Sequence, residues 1–590
     1  MSHIALLLDY VFAKNINTIL EGNYCPLLFR SLIFYATKGL GFSKLPSNDN
    51  AFAPICLVGL NGSGKSNILE VLAEIFFYLE TYHKADRFER NGLNRYKTKF
   101  GFHISYFLPR SAVLEHLQNW QNLQSALNGT DADPLITIEK PIGKYPMISA
   151  SVGNKILKLK NKDNNRESGI LPPRVIGYSS GMNELLSNPF IKIDFEYLND
   201  LKRITNKSVS SRLEMNRLFF MNYDTNKYIT IANFMFDAAA YDLSSYSKDS
   251  KASDFGGINL EHLKKETGIK DVAFFSLQLQ LAKSAEDKSD YLPSELNIAL
   301  ERLKACATFH ESSEEQAGKG KMRKIIQCDY WVNRATKEAF RDQFGTAYDL
   351  FRAFYFLQLL NNDLVGSATR LRVSNAKAGE IENLSEELPR FEKEQLKFRL
   401  HNIKLKSRNG RQVEYRKLSD GEHQLMQVLG SILLMDTSGT FFLLDEPETH
   451  FNPDWRSKFV RLVNKSVKSA REQELLLTTH SPFIITDCKR ENVFVFARDK
   501  DGTIRKAVNP GINTFGTAVS IITDEIFGRS GTVSDMSLEK IKEIKRMPMN
   551  SLADIQAAKE AVRVLGDSPE KVLLFRELLH QEEELKTKNA

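Results

Sequence analysis

Eight consecutive residues, Gly59-Leu60-Asn61-Gly62-Ser63-Gly64-Lys65-Ser66, spell G-x-x-x-x-G-K-S. That spacing suits a polyphosphate. The glycines permit turns in which successive backbone N–H groups point inward at phosphate oxygens. Lys65 would reach the β- and γ-phosphates as a point charge, and the Ser66 hydroxyl would hold Mg²⁺. Asn61, Gly62, Ser63, Gly64, Lys65, Ser66 and Asn67 are therefore the expected nucleotide contacts, with ATP and Mg²⁺ as the expected cofactors.

A second group lies far downstream. The apolar run Phe441-Phe442-Leu443-Leu444 ends in Asp445-Glu446-Pro447, and a carboxylate at the C-terminal end of a buried parallel strand emerges at the ligand crevice of an open α/β sheet. Asp445 is expected to hold Mg²⁺ through water, and Glu446 to polarise the attacking water. Another apolar run, Leu475 to Thr479, ends at His480. An imidazole there can hydrogen-bond the γ-phosphate and sense its loss. Upstream of both, Leu418-Ser419-Asp420-Gly421-Glu422 precedes a helix expected from about His423 to Met435. Ser419 and the Gly421 backbone make a second anion site. Being separate from the first, it leaves one chain with two half-sites for a nucleotide.

These residues need a frame. The strand Ile55 to Val58 and an amphipathic helix over Asn67 to Leu79 flank the glycine-rich loop. Four segments follow from the pattern. Residues 1–186 form a first ATPase lobe, with β-rich stretches at Leu27 to Tyr35, Lys99 to Phe107 and Met147 to Lys158 and a polar loop at Asn161 to Gly169. Residues 187–395 read as a helical insertion, with helices over Ser294 to Ala307 and Ala335 to Asn361 and a charged break at Glu311 to Lys321. Sustained heptads are lacking, so a compact helical domain is expected in place of a long coiled coil. Residues 396–512 form the second lobe. Residues 513–590 read as a charge-rich helical segment for docking a partner, ending in an exposed helix over Val572 to Lys588. The expected class is α/β: a parallel P-loop sheet with an antiparallel β subdomain, interrupted by the insertion and followed by the helical segment.

The densest basic stretch, Lys397 to Lys417, contains Asn409-Gly410 between alternating segments. That is a strong hairpin signal. Its lysines would share one face, and a solvated sheet edge explains them as well as a nucleic-acid groove does.

Composition sets the outer limits. The 590 residues leave room for two to four compact units, and 42% hydrophobic with 26% charged residues is ordinary for a soluble globular protein. No run approaches the roughly 20 apolar residues of a membrane span. The start of the chain shows no basic n-region, so no secretory signal is expected. The five cysteines are scattered and odd in number, as in a reduced, cytoplasmic protein without a zinc site. A net charge of +7 is compatible with nucleic acid but does not diagnose it.

The order of these motifs resembles the ABC-type ATPase head of SMC, RecN and OLD-like proteins: P-loop Gly59 to Ser66, signature Leu418 to Glu422, Walker B strand Phe441 to Glu446, a D-loop containing Pro453, and switch His480. The resemblance implies two heads sandwiching two nucleotides, with Ser419 and Gly421 completing the partner's site. Two departures stand out. Asp420 replaces the usual first glycine of the signature, and no glutamine occupies an obvious Q-loop, where Asn183 or Glu184 would substitute. OLD-like proteins continue into a metal-binding Toprim domain; the stretch Glu491 to Gly502 lacks its carboxylate pattern, so the chain is not expected to be a nuclease itself.

A closer resemblance rests on Val175 to Glu184, Leu444 to Pro453 and Asn513-Thr514-Phe515-Gly516. These look like the restriction-system-associated AAA ATPases, which include the PtuA-type subunits of Septu anti-phage defence and of some retrons. That resemblance implies an HNH nuclease partner (PtuB-like) and, in retron versions, a reverse transcriptase with its msDNA. Two other expectations stay open: a RecN- or SMC-like DNA-repair ATPase with no toxic partner, and a scaffold that binds ATP with little turnover.

Overall fold

The computed structural model describes residues 54–83, 101–115, 121–128, 130–142, 144–159, 169–181, 183–204, 215–241, 256–284, 292–316, 321–375, 384–467, 473–498, 507–529 and 531–589, together with two short strands at 7–9 and 40–41. The expected strand at Leu27 to Tyr35, nearly all of the loop at Asn161 to Gly169, and Asp499 to Asp501 lie outside these residues.

Six strands form the central sheet: β1 (Ile55–Gly59), β2 (Val175–Ser179), β3 (Leu218–Phe220), β4 (Thr440–Asp445), β5 (Gln473–Thr479) and β6 (Val493–Phe496). Their order is β6-β1-β5-β4-β2-β3, and every pairing is parallel. A parallel sheet is covered on both faces, which is why these strands read as unbroken apolar runs. The alternation survives in what each residue touches. Cys56, Val58, Phe442, Leu444, Leu475 and Leu477 belong to one core cluster, and Ile55, Leu57, Phe441, Leu443 and Leu476 to the other.

On the second face lies the helix Lys65–His83, backed by a six-stranded sheet whose described pairings are all antiparallel. Phe76 of that helix meets Phe441 edge-on at 6.0 Å and Tyr106 of the outer sheet at 6.2 Å, so the helix is clamped between the two sheets. The first face carries the helices Tyr223–Met235, Ala347–Leu359 and Asp420–Leu434. Beyond them stands a five-stranded antiparallel sheet made from Ile269–Ser284, Phe309–Gln316, Lys321–Trp331, Phe398–Ser407 and Gln412–Glu414.

That second antiparallel sheet corrects the expected helical insertion. Residues 187–395 contain three of its strands, and the charged break at Glu311 to Lys321 falls on a hairpin whose edge strand Phe309–Gln316 is exposed along its whole length. A polar edge strand carries no apolar alternation for a sequence pattern to detect. The buried side chains of this segment, Phe275, Tyr330, Phe340 and Phe351 among them, join the same cluster as Leu425, Leu444 and Ile484, so it shares one core with the sheet. The helix expected over Ala335 to Asn361 is two, Arg334–Phe344 and Ala347–Leu359, broken where Gly345 takes φ +73° and Thr346 caps the second. The Asn409-Gly410 hairpin forms as read, pairing Phe398–Ser407 with Gln412–Glu414. The C-terminal helices Asp535–Lys545, Leu552–Val562 and Pro569–Asn589 enclose a small core of their own around Ile541, Ile544, Val562, Leu574 and Leu578.

The helix Asp420–Leu434 is held by buried amides. Asn226 Nδ2 donates to the His423 carbonyl at 3.0 Å and Asn233 Nδ2 to the Gly430 carbonyl at 2.9 Å. Gln473 Nε2, at the start of β5, donates to the carbonyls of Ile432 and Met435, both at 3.0 Å, at the end where a helix leaves its last carbonyls unpaired. Gln473→Leu should therefore destabilise the fold by about 1–3 kcal/mol through those two buried acceptors. Chemical denaturation would check this, and an unchanged midpoint would remove the capping role.

Candidate functional site

The glycine-rich loop joins the C-terminal end of β1 to the helix that begins at Lys65. Gly59 takes φ +144°, and a Cβ there would meet the Phe496 carbonyl oxygen at 2.2 Å, so the loop can pass beside β6 only as glycine. Ser63 is buried, and its Oγ has no hydrogen-bond partner. Lys65 Nζ folds back onto the carbonyls of Gly59 at 3.0 Å and Leu60 at 3.1 Å. Burial lowers its pKa, and Glu446 and Asp445 oppose that shift. An orphaned hydroxyl and an ammonium resting on loop carbonyls beside a helix N-terminus fit a phosphate chain. Asn61 and Gly62 are exposed at the rim, Gly64 is half-buried, and Asn67 lies half-buried in the first helical turn.

Asp445 ends β4, in the middle of the sheet. Its Oδ1 accepts from Ser66 Oγ at 2.8 Å and Thr478 Oγ1 at 2.7 Å; its Oδ2 accepts from Asn183 Nδ2 at 2.9 Å and Ser179 Oγ at 3.5 Å. The loop hydroxyl and the strand-end carboxylate, 379 positions apart, are thus in direct contact. Two hard oxygen ligands side by side, next to a phosphate cradle, fit Mg²⁺. Of the two Q-loop candidates, Asn183 is the one that reaches Asp445; the Glu184 side chain lies outside the described residues.

Glu446 follows with φ +48°, an unusual backbone for a non-glycine residue. The turn is fixed because its N–H donates to Thr478 Oγ1 at 3.0 Å. Its carboxylate reaches His480, Nε2 to Oε1 3.3 Å, and accepts from Thr449 Oγ1 at 3.2 Å. The His480 contact, with help from Thr449 and Lys65, lowers its pKa and keeps it a carboxylate able to accept a proton from water. His480 also lies near the ring of Phe527, centroids 6.3 Å apart.

The signature region opens the helix Asp420–Leu434. Ser419 caps the helix, its Oγ accepting from the Glu422 N–H at 3.3 Å while Glu422 Oε2 takes the Ser419 N–H at 2.8 Å. The helix therefore starts at Asp420, earlier than expected, because this reciprocal capping box nucleates it. At Gly421 a Cβ would meet the His450 carbonyl oxygen at 2.7 Å, so the signature helix packs directly against the loop that follows Glu446. Gln424 ties the same junction, accepting from the His450 N–H and donating to Tyr178 Oη, both at 3.0 Å.

Sequence reasoning missed three buried groups near these residues. Glu70, five positions beyond Lys65, and Glu448 are both raised to about 7, chiefly by burial. Cys56 on β1 and Cys488 place their sulfurs 3.4 Å apart. A carboxylate on an otherwise polar loop and two cysteines 432 positions apart carry no local pattern, so no sequence signal marked them.

Residues 307–486 match the family described as "AAA domain, putative AbiEii toxin, Type IV TA system", a window that holds the signature, β4 and His480 but not the P-loop. The Septu protein PtuA of Bacillus thuringiensis is 26% identical over 138 residues, 23% of this chain and 32% of PtuA. Protein ea59 of Escherichia phage lambda is 29% identical over 96 residues, 16% of this chain and 18% of ea59. The chain thus aligns with about a third of one curated relative and under a fifth of the other. A crystal structure of an SMC head bound to the C-terminal winged-helix domain of ScpA covers 78% of this chain and 91% of its own at 12% identity, with a TM-score of 0.27. Residues 307–486 thus resemble an AAA-type domain, and part of the chain resembles Septu protein PtuA. No described helix is long and apolar enough to cross a membrane.

The two raised carboxyls have a consequence for stability. A carboxyl with a folded-state pKa near 7 and an unfolded value near 4.5 binds its proton more tightly when folded. Its contribution is therefore greatest at low pH and is lost as pH climbs through that window. Glu448→Gln should raise the melting temperature relative to the parent progressively from pH 5 to pH 8. A constant difference across that range would show that Glu448 does not titrate there.

Proposed function

We propose that this chain is a cytoplasmic ATP-binding and ATP-hydrolysing subunit of an anti-phage defence assembly, and that its nucleotide state governs a partner nuclease. The observation that carries the ATPase part is the Ser66–Asp445 hydrogen bond, which joins the P-loop to the Walker B carboxylate. Ser63, Lys65 and the loop amides would take the phosphates. Ser66 and Asp445 would hold Mg²⁺, which when bound neutralises charge on the β- and γ-phosphates. Glu446 would accept a proton from the attacking water while His480 orients it and touches the γ-phosphate.

Ser419 and Gly421 would serve a second copy, so ATP would act as dimer glue. The partial likeness to Septu protein PtuA supports a defence setting; the further partner in this reading would be an HNH nuclease, joined in a retron setting by a reverse transcriptase and its msDNA. The segments 1–186, 187–395, 396–512 and 513–590 would then be two halves of one head, an insertion packed into it, and a docking unit with its own small core. A scaffold with little turnover is favoured by one observation: the Ser419 hydroxyl and N–H are already engaged by Glu422.

Glu446→Gln should slow ATP turnover by about 100-fold or more while leaving nucleotide affinity in place, and should trap an ATP-dependent dimer visible by light scattering. Unchanged turnover with no gain in dimer would overturn the assignment of Glu446. Lys65→Ala should abolish binding of a fluorescent ATP analogue, and retained affinity would overturn the P-loop assignment. Parent and Glu446→Gln protein with equally negligible turnover but intact ATP-dependent assembly would select the scaffold.

A further inference from the structure

Two threonines at the end of β5 point to opposite faces of the strand, and each relays a carboxyl to a neighbouring loop. Thr478 Oγ1 donates to Asp445 and accepts the N–H of Glu446 at 3.0 Å. Thr479 does the same for a residue that the proposed chemistry leaves unused. Its Oγ1 donates to Glu448 Oε1 and accepts the Ser481 N–H at 2.9 Å. His480 is the residue between Thr479 and Ser481.

We infer that Glu448 is a positioning residue for His480: through the Thr479 hydroxyl its carboxyl fixes the turn from Thr479 to Ser481 and so aims the imidazole at Glu446. The inference rests on the proposed role of His480. Glu448, Thr479 and Ser481 are 3%, 0% and 4% exposed, so water does not offer this turn an alternative partner. Packing alone does not account for the carboxyl. Glu448 Oε2 is buried without a hydrogen-bond partner, and an apolar side chain would fill the place without that penalty. Burial keeps the group largely protonated below about pH 7, with Glu446 pushing the same way and Arg456 opposing; Tyr178 and Cys56 lie close enough to feel its charge. A neutral carboxyl keeps its acceptor oxygen for Thr479 without setting a second negative charge beside Glu446.

The test uses the full chain with Glu448→Gln, Glu448→Ala, Thr479→Val, His480→Ala and the double variant Glu448→Ala/His480→Ala. Steady-state turnover and binding of a fluorescent ATP analogue are measured for each. Glu448→Ala and Thr479→Val should lower kcat by roughly ten-fold or more with nucleotide affinity within about three-fold of the parent, since a misaimed group impairs the chemical step more than binding. Glu448→Gln, which keeps the acceptor, should restore kcat to within about three-fold of the parent. The double variant should be no slower than His480→Ala, because two residues acting through one group are not additive. Parent-like kcat in Glu448→Ala and Thr479→Val, a Gln variant as slow as the Ala variant, or additive losses would each overturn the inference. If Glu448→Ala does not fold, Thr479→Val carries the same comparison. Selective histidine labelling separates this inference from the proposed function: the His480 ring resonance should move in Thr479→Val and Glu448→Ala and stay in Glu448→Gln. That pattern, found with a fully active His480→Ala, would retain the positioning and discard the catalytic role of His480; an unmoved resonance would overturn the positioning itself.

Discussion

The site hangs on one carboxylate. Asp445 takes four hydrogen bonds, from Ser66, Thr478, Asn183 and Ser179, and these donors arrive from the P-loop helix, β5 and the end and following loop of β2. Strand register makes this possible. Asp445 pairs with Ser179 on one side and Thr478 on the other, so side chains from three adjacent parallel strands end at one level. An acidic side chain only 7% exposed is tolerated there because it is so fully hydrogen-bonded. Moving any of these strands by one residue would remove a donor and turn the apolar set of that strand to the wrong face. The fold and the chemistry therefore impose the same constraint on β4.

From that point outward, legibility follows locality. The glycine-rich loop between β1 and its helix, the strands β4 and β5, the helix after Ser419 and the Asn409-Gly410 hairpin could be read as elements because each is a short pattern that does not depend on distant residues. The strands Ile269–Ser284 and Lys321–Trp331 could not, because their partners decide their state: Leu277 and Leu279 are buried by pairing with Lys321–Trp331 and Phe398–Ser407, while Phe309–Gln316 is exposed throughout and polar after Phe309. The misreading of residues 187–395 as a separate helical domain has the same origin. Core membership is a property of contacts, and Phe275 or Phe351 carries no mark of packing in one core with Leu425 and Leu444. Asn183 could be named as one of two Q-loop candidates, but its bond to Asp445 needed the position of a residue 262 positions away.

The shared core also links the start of the helix Asp420–Leu434 to the Asp445 end of β4. Gly421 approaches the His450 carbonyl, Gln424 bonds the His450 N–H and Tyr178, and Tyr178 precedes Ser179, which reaches Asp445. A shift of the signature helix would press on the loop that carries Glu446 and Glu448. Packed interiors transmit such displacements because they have little free volume to absorb them. In the proposed sandwich, a phosphate arriving from the second copy at Ser419 would be felt at the Glu446 of the chain that supplies Ser419.

Asp420 takes its sense from the same geometry. It occupies the first turn of the signature helix together with Glu422, where two carboxylates suit the positive end of the helix dipole. Glu422 also holds both the N–H and the hydroxyl of Ser419. The protein thus carries its own anions at the place where the proposed sandwich would bring a γ-phosphate. For Ser419 to donate to that phosphate, Glu422 must release it, and Asp420 must tolerate a second negative charge nearby. Closure would then need the full charge of a bound Mg²⁺–nucleotide on the opposite P-loop to offset this repulsion. In the proposed sandwich, a signature built this way would discriminate against closing on partial ligands more than it would strengthen closing as such.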